Sequence, residues 1–187
     1  MGLWQGYNNW QLGPLHPADG VIAPDDPQQT ALEEAPVTAL GRWRLTPQAR
    51  YDVTARILSR EDYHFDPLSD LIPEDLALGW GPMSDNRVLR AFKITQGARV
   101  YSWAPRQALP IPRQDVIEHS ANTHVIPASA TVARQLKRLR VGQVVHLTGF
   151  LVNGVRDDGA YIRTSLTRSD TGPGSCEVLL VEQVEAW

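Results

Sequence analysis

Three short polar segments hold the residues whose types and spacing could do chemistry. In His119-Ser120-Ala121-Asn122-Thr123-His124, two histidines stand five residues apart just before Pro127. Neutral imidazoles on a loop at that spacing could share a metal ion, with a carboxylate such as Asp170 or Asp85 as third ligand. Alternatively, Ser120 could act as a nucleophile with His124 as its base. The spacing fits neither the H-E-x-x-H helix of zinc proteases nor the G-x-S-x-G elbow of hydrolases. The plainer reading is that Ser120 and Asn122 satisfy loop backbone while His124 packs half-buried and hydrogen-bonded.

The second segment is Gly79-Trp80-Gly81-Pro82-Met83-Ser84-Asp85. Glycines on both sides of a tryptophan let the backbone bend sharply and aim one large ring. Trp80 could floor a ligand pocket, with Ser84 and Asp85 as polar lining, or simply plug the gap between a short helix and a sheet. The third segment, Ser165-Leu166-Thr167-Arg168-Ser169-Asp170-Thr171-Gly172, offers hydroxyls and one guanidinium fork for an anion. It lacks the lysine and glycine spacing of a P-loop. An Arg168–Asp170 ion pair or an Asx-turn would account for it without any ligand. These patterns assign no catalytic residue, no metal centre and no cofactor.

A helix carrying Arg134, Lys137, Arg138 and Arg140 is the one basic feature. Cations near a helix C-terminus stabilise its dipole in any case. Strands that bind single-stranded nucleic acid present several aromatic rings, and here the neighbouring strands offer only Phe150 and Tyr161. A solvated face is the better account, so nucleic acid is not an expected partner.

The elements that must position these segments follow from the hydrophobic pattern. The chain has 187 residues, 42% hydrophobic and 21% charged, with a net charge of −3, and no run long and apolar enough for a membrane helix. Its single cysteine, Cys176, excludes an internal disulfide and a cysteine-based zinc cage. Residues 1–36 contain five acids, five prolines and no Lys or Arg, whereas the rest carries 18 bases against 16 acids. We read 1–36 as an extended Pro-rich arm without regular elements, held to the body through Trp4, Tyr7, Trp10, Leu12 and Leu15. Residues 37–187 form one globular β-rich domain.

Within that domain Arg42 to Thr46 reads as a short strand, Pro47-Gln48 as a turn, and Tyr51 to Leu58 as a half-buried strand by its period of two. Pro73, Glu74 and Asp75 predict a short helix closed by Gly79. Ser84-Asp85 can cap a second helix through Phe92. Arg99 to Trp103 reads as a strand. Ser129 caps a helix running to Arg140, ended by Gly142. Gln143 to Val155 is a long strand, Asp157-Asp158-Gly159 a hairpin turn, Ala160 to Arg168 the return strand, and Cys176 to Val184 a last strand. The fold class this implies is α+β and strand-rich, a small OB-like or related β-barrel with two or three short helices.

The blocks Leu78 to Asp85, Ser120 to Pro127 and Ser165 to Glu177 resemble blocks of an uncharacterised bacterial protein family with no known activity. The resemblance implies a domain that follows an N-terminal membrane anchor at the cell envelope. Three functional readings remain. The first is a non-enzymatic binding or scaffold module at the envelope with an unidentified ligand, a protein partner among the candidates. The second is a hydrolase or metal-dependent enzyme using His119 or His124 with Asp170 or Asp85. The third is an OB-type nucleic-acid binder. The residues expected to line any ligand site are Trp80, Ser84, Asp85, His119, Ser120, Asn122, His124, Arg168 and Asp170.

Overall fold

A computed structural model describes residues 13–172 and 174–187. The strand-rich reading holds, with ten strands and three short helices among the described residues. The strands are β1 (Gln28–Ala31), β2 (Thr38–Leu40), β3 (Trp43–Asp62), β4 (Glu74–Gly79), β5 (Phe92–Gly97), β6 (Val100–Pro105), β7 (Ser120–Pro127), β8 (Val144–Arg156), β9 (Tyr161–Ile162) and β10 (Glu177–Ala186). The helices are α1 (Asn86–Leu89), α2 (Arg113–Glu118) and α3 (Ala130–Leu136).

Five strands close on themselves in the order β3-β4-β7-β10-β8-β3. All neighbours in this ring are antiparallel except β7 and β10, which run parallel. The result is barrel-like without being a regular barrel. Each ring strand sends apolar residues into one cluster: Tyr51, Val53 and Ile57; Leu76 and Leu78; Val125; Leu179 and Val181; Leu147 and Leu151. Helix α3 adds Val132 and Leu136 to that cluster, with Leu139 just beyond it. Among the described residues no helix is long and apolar enough to cross a membrane.

Several expectations need correction. Pro47-Gln48 is not a turn. The 20-residue β3 runs straight through it, paired with β8 on both sides of a register shift between Pro47 and Ala49. One extra residue flips the side-chain alternation. Trp43 and Leu45 therefore join a cluster with Ile72, Val152 and Leu180, while Tyr51 and Val53 fill the ring.

Glu74 to Gly79 is strand β4, not a helix. Its acids do not face a helix dipole; they are buried and ion-paired, Glu74 to Arg60 at 2.9 Å and Asp75 to Arg99 at 3.0 Å. The helix capped by Asp85 is a single turn, and Phe92 belongs to β5. Helix α3 starts as expected, with the Ser129 side chain accepting from the Val132 N–H, but stops at Leu136. The guanidinium of Arg60 donates to the Leu136 and Leu139 carbonyls at 2.9 and 3.0 Å and so fastens that end to β3.

The return strand after Asp158-Gly159 is only two residues long. Beyond it the Thr164 N–H donates to Asn153 at 3.0 Å, and the Val178 N–H to the Thr164 hydroxyl at 3.0 Å. Side chains thus replace the ladder and swing residues 163–176 across the start of β10. The leader also holds a regular element, since β1 pairs with Ala49 to Asp52 of β3. Trp4, Tyr7, Trp10 and Leu12 lie outside the described residues.

Candidate functional site

Strand β7 is the axis of the site. The segment read from sequence as a loop is strand from Ser120 onward, so Ser120, Asn122 and His124 point to one face and Ala121, Thr123 and Val125 to the other. The second set faces the ring, as Val125 and Ala121 do. The first set therefore stands on the outer face. Register places Asp75 of β4 opposite His124 on one side and Val178 of β10 opposite it on the other. Cys176, two residues before Val178, shares that outer face.

The consequence is a polar row across three adjacent strands. His124 Nδ1 is 2.8 Å from Asp75 Oδ1. The Cys176 sulfur lies beside the imidazole and, with Asp75, favours its charged form. Asn122 Nδ2 donates to Cys176 Sγ at 3.5 Å and to the Arg99 carbonyl at 3.2 Å. Arg99 donates to Asp75 at 3.0 Å, to Asp66 at 2.7 Å and to the Ile72 carbonyl at 2.9 Å, and its guanidinium lies 3.7 Å from the Tyr63 ring centre. Asp66 offsets the charge of Arg99 and leaves that of Asp75 for the imidazole.

Two pieces of chain roof this row. The β5–β6 hairpin docks through Gln96, which donates to Asn122 at 2.6 Å, and through Tyr101, which donates to Ser120 at 3.3 Å. The loop after β9 supplies the other wall. Between them lies a cavity of about 620 Å3, within the size range of small-molecule sites.

No family model, curated protein or solved structure matches this chain. The site is therefore read from its own geometry.

Of the expected site residues, Trp80, Ser120, Asn122, His124, Arg168 and Asp170 all border this cavity. His119 does not. Its Nδ1 meets the Asp115 carbonyl at 2.8 Å, and it borders a separate, smaller hollow with Asp26 and Glu118. Ser84 and Asp85 are buried elsewhere and hold the leader. The Ser84 hydroxyl accepts from the Ala23 and Ile22 N–H groups at 3.2 and 3.1 Å, and Asp85 from the Gly20 N–H at 3.0 Å. Arg168 and Asp170 do not pair with each other. Arg168 donates to the Pro27 carbonyl, and the Ser165 hydroxyl to Asp170 at 2.7 Å.

Electrostatics set the protonation of the site. Burial works against charge on His124, but the bonds to Asp75 and Cys176 prevail and hold its pKa at about 9. Burial pushes the Glu177 carboxyl up to about 8; Asp170 adds to the shift, while Arg168 and His124 oppose it. At neutral pH the imidazole is thus a cation and Glu177 a neutral acid. Among the described residues no three His, Cys, Asp or Glu side chains are grouped to hold a metal ion.

Four site residues escaped the sequence reading: Asp75, Arg99, Cys176 and Glu177. Asp75 was absorbed into a false helix start. Cys176 was weighed only as a disulfide or zinc ligand, although Cys176 and Glu177 end a block singled out on other grounds.

Proposed function

We propose that this chain is a small-molecule binding domain whose cavity takes an acceptor-rich anion, a carboxylate above all. One observation carries the reading. Trp80, Arg168 and Glu177 border the cavity, and their Nε1, Nε and Oε2 atoms are shielded from water with no hydrogen-bond partner among the described residues. With Glu177 protonated, all three are donors. An unmet buried donor costs about 1–3 kcal/mol, so a ligand oxygen that met them would recover most of that cost. The protonated His124 adds a positive charge to the same wall.

The ring order supports reading the barrel as OB-type. Such barrels bind oligonucleotides on the face of their second and third strands, which here are β4 and β7. That face is the one roofed by the β5–β6 hairpin, which leaves room for a small molecule rather than a polynucleotide chain. The basic residues Arg134, Lys137 and Arg138 sit on or just past α3, away from the cavity lining.

The test is a titration of the full chain with succinate, against succinamide as the uncharged match. At a hundredfold excess over Kd a ligand adds about 2.7 kcal/mol, which for a chain of this size raises Tm by roughly 5–10 °C. Succinate is expected to give such a rise, succinamide little, and Arg168→Gln to abolish it. Equal effects of the two compounds, or none from either, would refute the proposal.

A further inference from the structure

We propose that Cys176 is a thiol nucleophile, with His124 as its acid–base partner and Asp75 as the positioning residue behind the imidazole, acting on an acyl compound held in the cavity. The inference rests on the binding reading above for where the acyl group's oxygen-rich part sits, and it adds what happens there.

The site holds the groups such chemistry needs: the carboxylate of Asp75 on β4, the imidazole of His124 on β7, and the sulfur of Cys176 in the residue just before β10. The Asp75–His124 bond is 2.8 Å long, and Arg99 holds the carboxylate from its other side at 3.0 Å. That bond fixes the ring's orientation and its tautomer, as a third group does for any nucleophile and base pair. The sulfur is half-buried and borders the cavity, so a ligand can reach it. Asn122 Nδ2, 3.5 Å from the sulfur, is placed to donate to an oxyanion forming beside it.

A cysteine with a histidine neighbour would not by itself be a site. The independent sign of a ligand is the pair of deeply buried groups that border the same cavity. Glu177 is 4% exposed and Trp80 1% exposed, each with a polar atom that lacks a partner among the described residues.

The reaction balances within the site plus water. With its proton held by the His124 imidazolium, Cys176 attacks the acyl carbon as the thiolate, forming a C–S bond and placing the electron pair of C=O on oxygen. Collapse of this adduct expels the alcohol, thiol or amine, which leaves with the proton from His124. Water then attacks the thioester while His124 removes its proton. Cys176 departs and recovers that proton, and a carboxylic acid is released. The product is of the class the cavity's donors favour.

Because Cys176 is the chain's only thiol, its modification can be read by intact mass without ambiguity. Iodoacetamide at pH 6.5 is expected to alkylate the parent protein about tenfold or more faster than it alkylates N-acetylcysteine. His124→Gln, which can keep a hydrogen bond to Asp75, is expected to remove that excess under conditions where its circular dichroism shows it folded. The activated ester p-nitrophenyl acetate is expected to give one equivalent of p-nitrophenol per chain and an acetyl group on Cys176, lost slowly in His124→Gln. A parent thiol no more reactive than N-acetylcysteine overturns the proposal with no variant needed. So does alkylation that His124→Gln leaves unchanged. Succinate binding by Cys176→Ser separates the two readings. Binding retained beside an ordinary thiol overturns the nucleophile and leaves the pocket, whereas a reactive thiol without succinate binding supports the nucleophile and overturns the pocket's ligand class.

Discussion

Glu177 begins a strand whose next four residues, Val178 to Val181, are all buried and apolar. A carboxyl in that position is tolerated because it is neutral, and its proton is the condition of its burial. The folded-state pKa of about 8 lies above the ordinary 4.5, so the folded protein binds the proton more tightly than the unfolded chain. The stability this brings is fully present below about pH 4.5 and is lost as pH rises through about 8. Glu74, raised by burial to about 7 despite the opposing charge of Arg60, acts in the same direction over a lower window. His124, raised to about 9, acts likewise over a higher one. Glu177→Gln keeps a donor and cannot ionise, so its fall in Tm between pH 6 and pH 9 should be several degrees smaller than the parent's. Melts at the two pH values check this, and an equal or steeper fall in the variant counts against it. None of this was visible in the sequence, where Glu177 is only the last residue of the block from Ser165, because only the parallel pairing of β10 with β7 reveals its burial.

Among the elements, the β5–β6 hairpin is the piece that turns a barrel face into a cavity. Its tip bends through Ala98 and Arg99, whose φ values of 49° and 64° lie in the left-handed region, where residues other than glycine are uncommon. That conformation aims the Arg99 guanidinium at Asp66 and Asp75. Replacing Arg99 with Met would leave Asp75, fully buried, with only His124 as a charged partner. Removing one member of a buried pair typically costs about 3–5 kcal/mol, so Tm should fall by roughly 6 °C or more. Backbone amides of 92–105 should also exchange faster than those of β8. Exchange in the hairpin that keeps pace with the ring would show that Arg99 is not what seats it. The sequence made some of this legible: alternation exposed the second half of β3, both β8 and β10 read as strands, and Ser129 marked the start of α3. The two-residue code cannot see a bulge, however, so β3 was split at Pro47. A six-residue strand flanked by acids was equally compatible with a helix. The Asp75–His124 bond joins residues 49 apart, a distance over which pairing is decided by sheet register alone.

At the scale of the molecule, the described part of the leader is joined to the ring by specific hydrogen bonds. The Leu15 N–H donates to the Val141 carbonyl at 2.7 Å, and the Arg140 guanidinium to the Gly13 carbonyl at 2.8 Å. Further along, the Gly81 N–H donates to the buried Ala23 at 2.8 Å. Ser84 and Asp85 bind the backbone of residues 20–23, and the Asn86 amide donates to the Pro17 carbonyl. The same strip lies over the turn that carries Trp80 toward the cavity, so it braces the site from behind. Deleting residues 1–23 removes all of these while sparing β1. At about 1 kcal/mol net for each hydrogen bond, Tm should fall by roughly 5 °C or more. Deletion alone could act through the unfolded chain, and Gly142 supplies the control. Its φ is +89°, and a Cβ placed there would lie 2.0 Å from the Leu15 carbonyl oxygen. In the full chain Gly142→Ala therefore suffers both backbone strain and expulsion of the leader. In the truncated chain it suffers the strain alone. The two changes together should destabilise by clearly less than the sum of their separate effects, as expected for groups in contact. Additive losses in Tm would mean that Leu15 does not rest on Gly142 in solution and that the leader steadies the fold by other contacts.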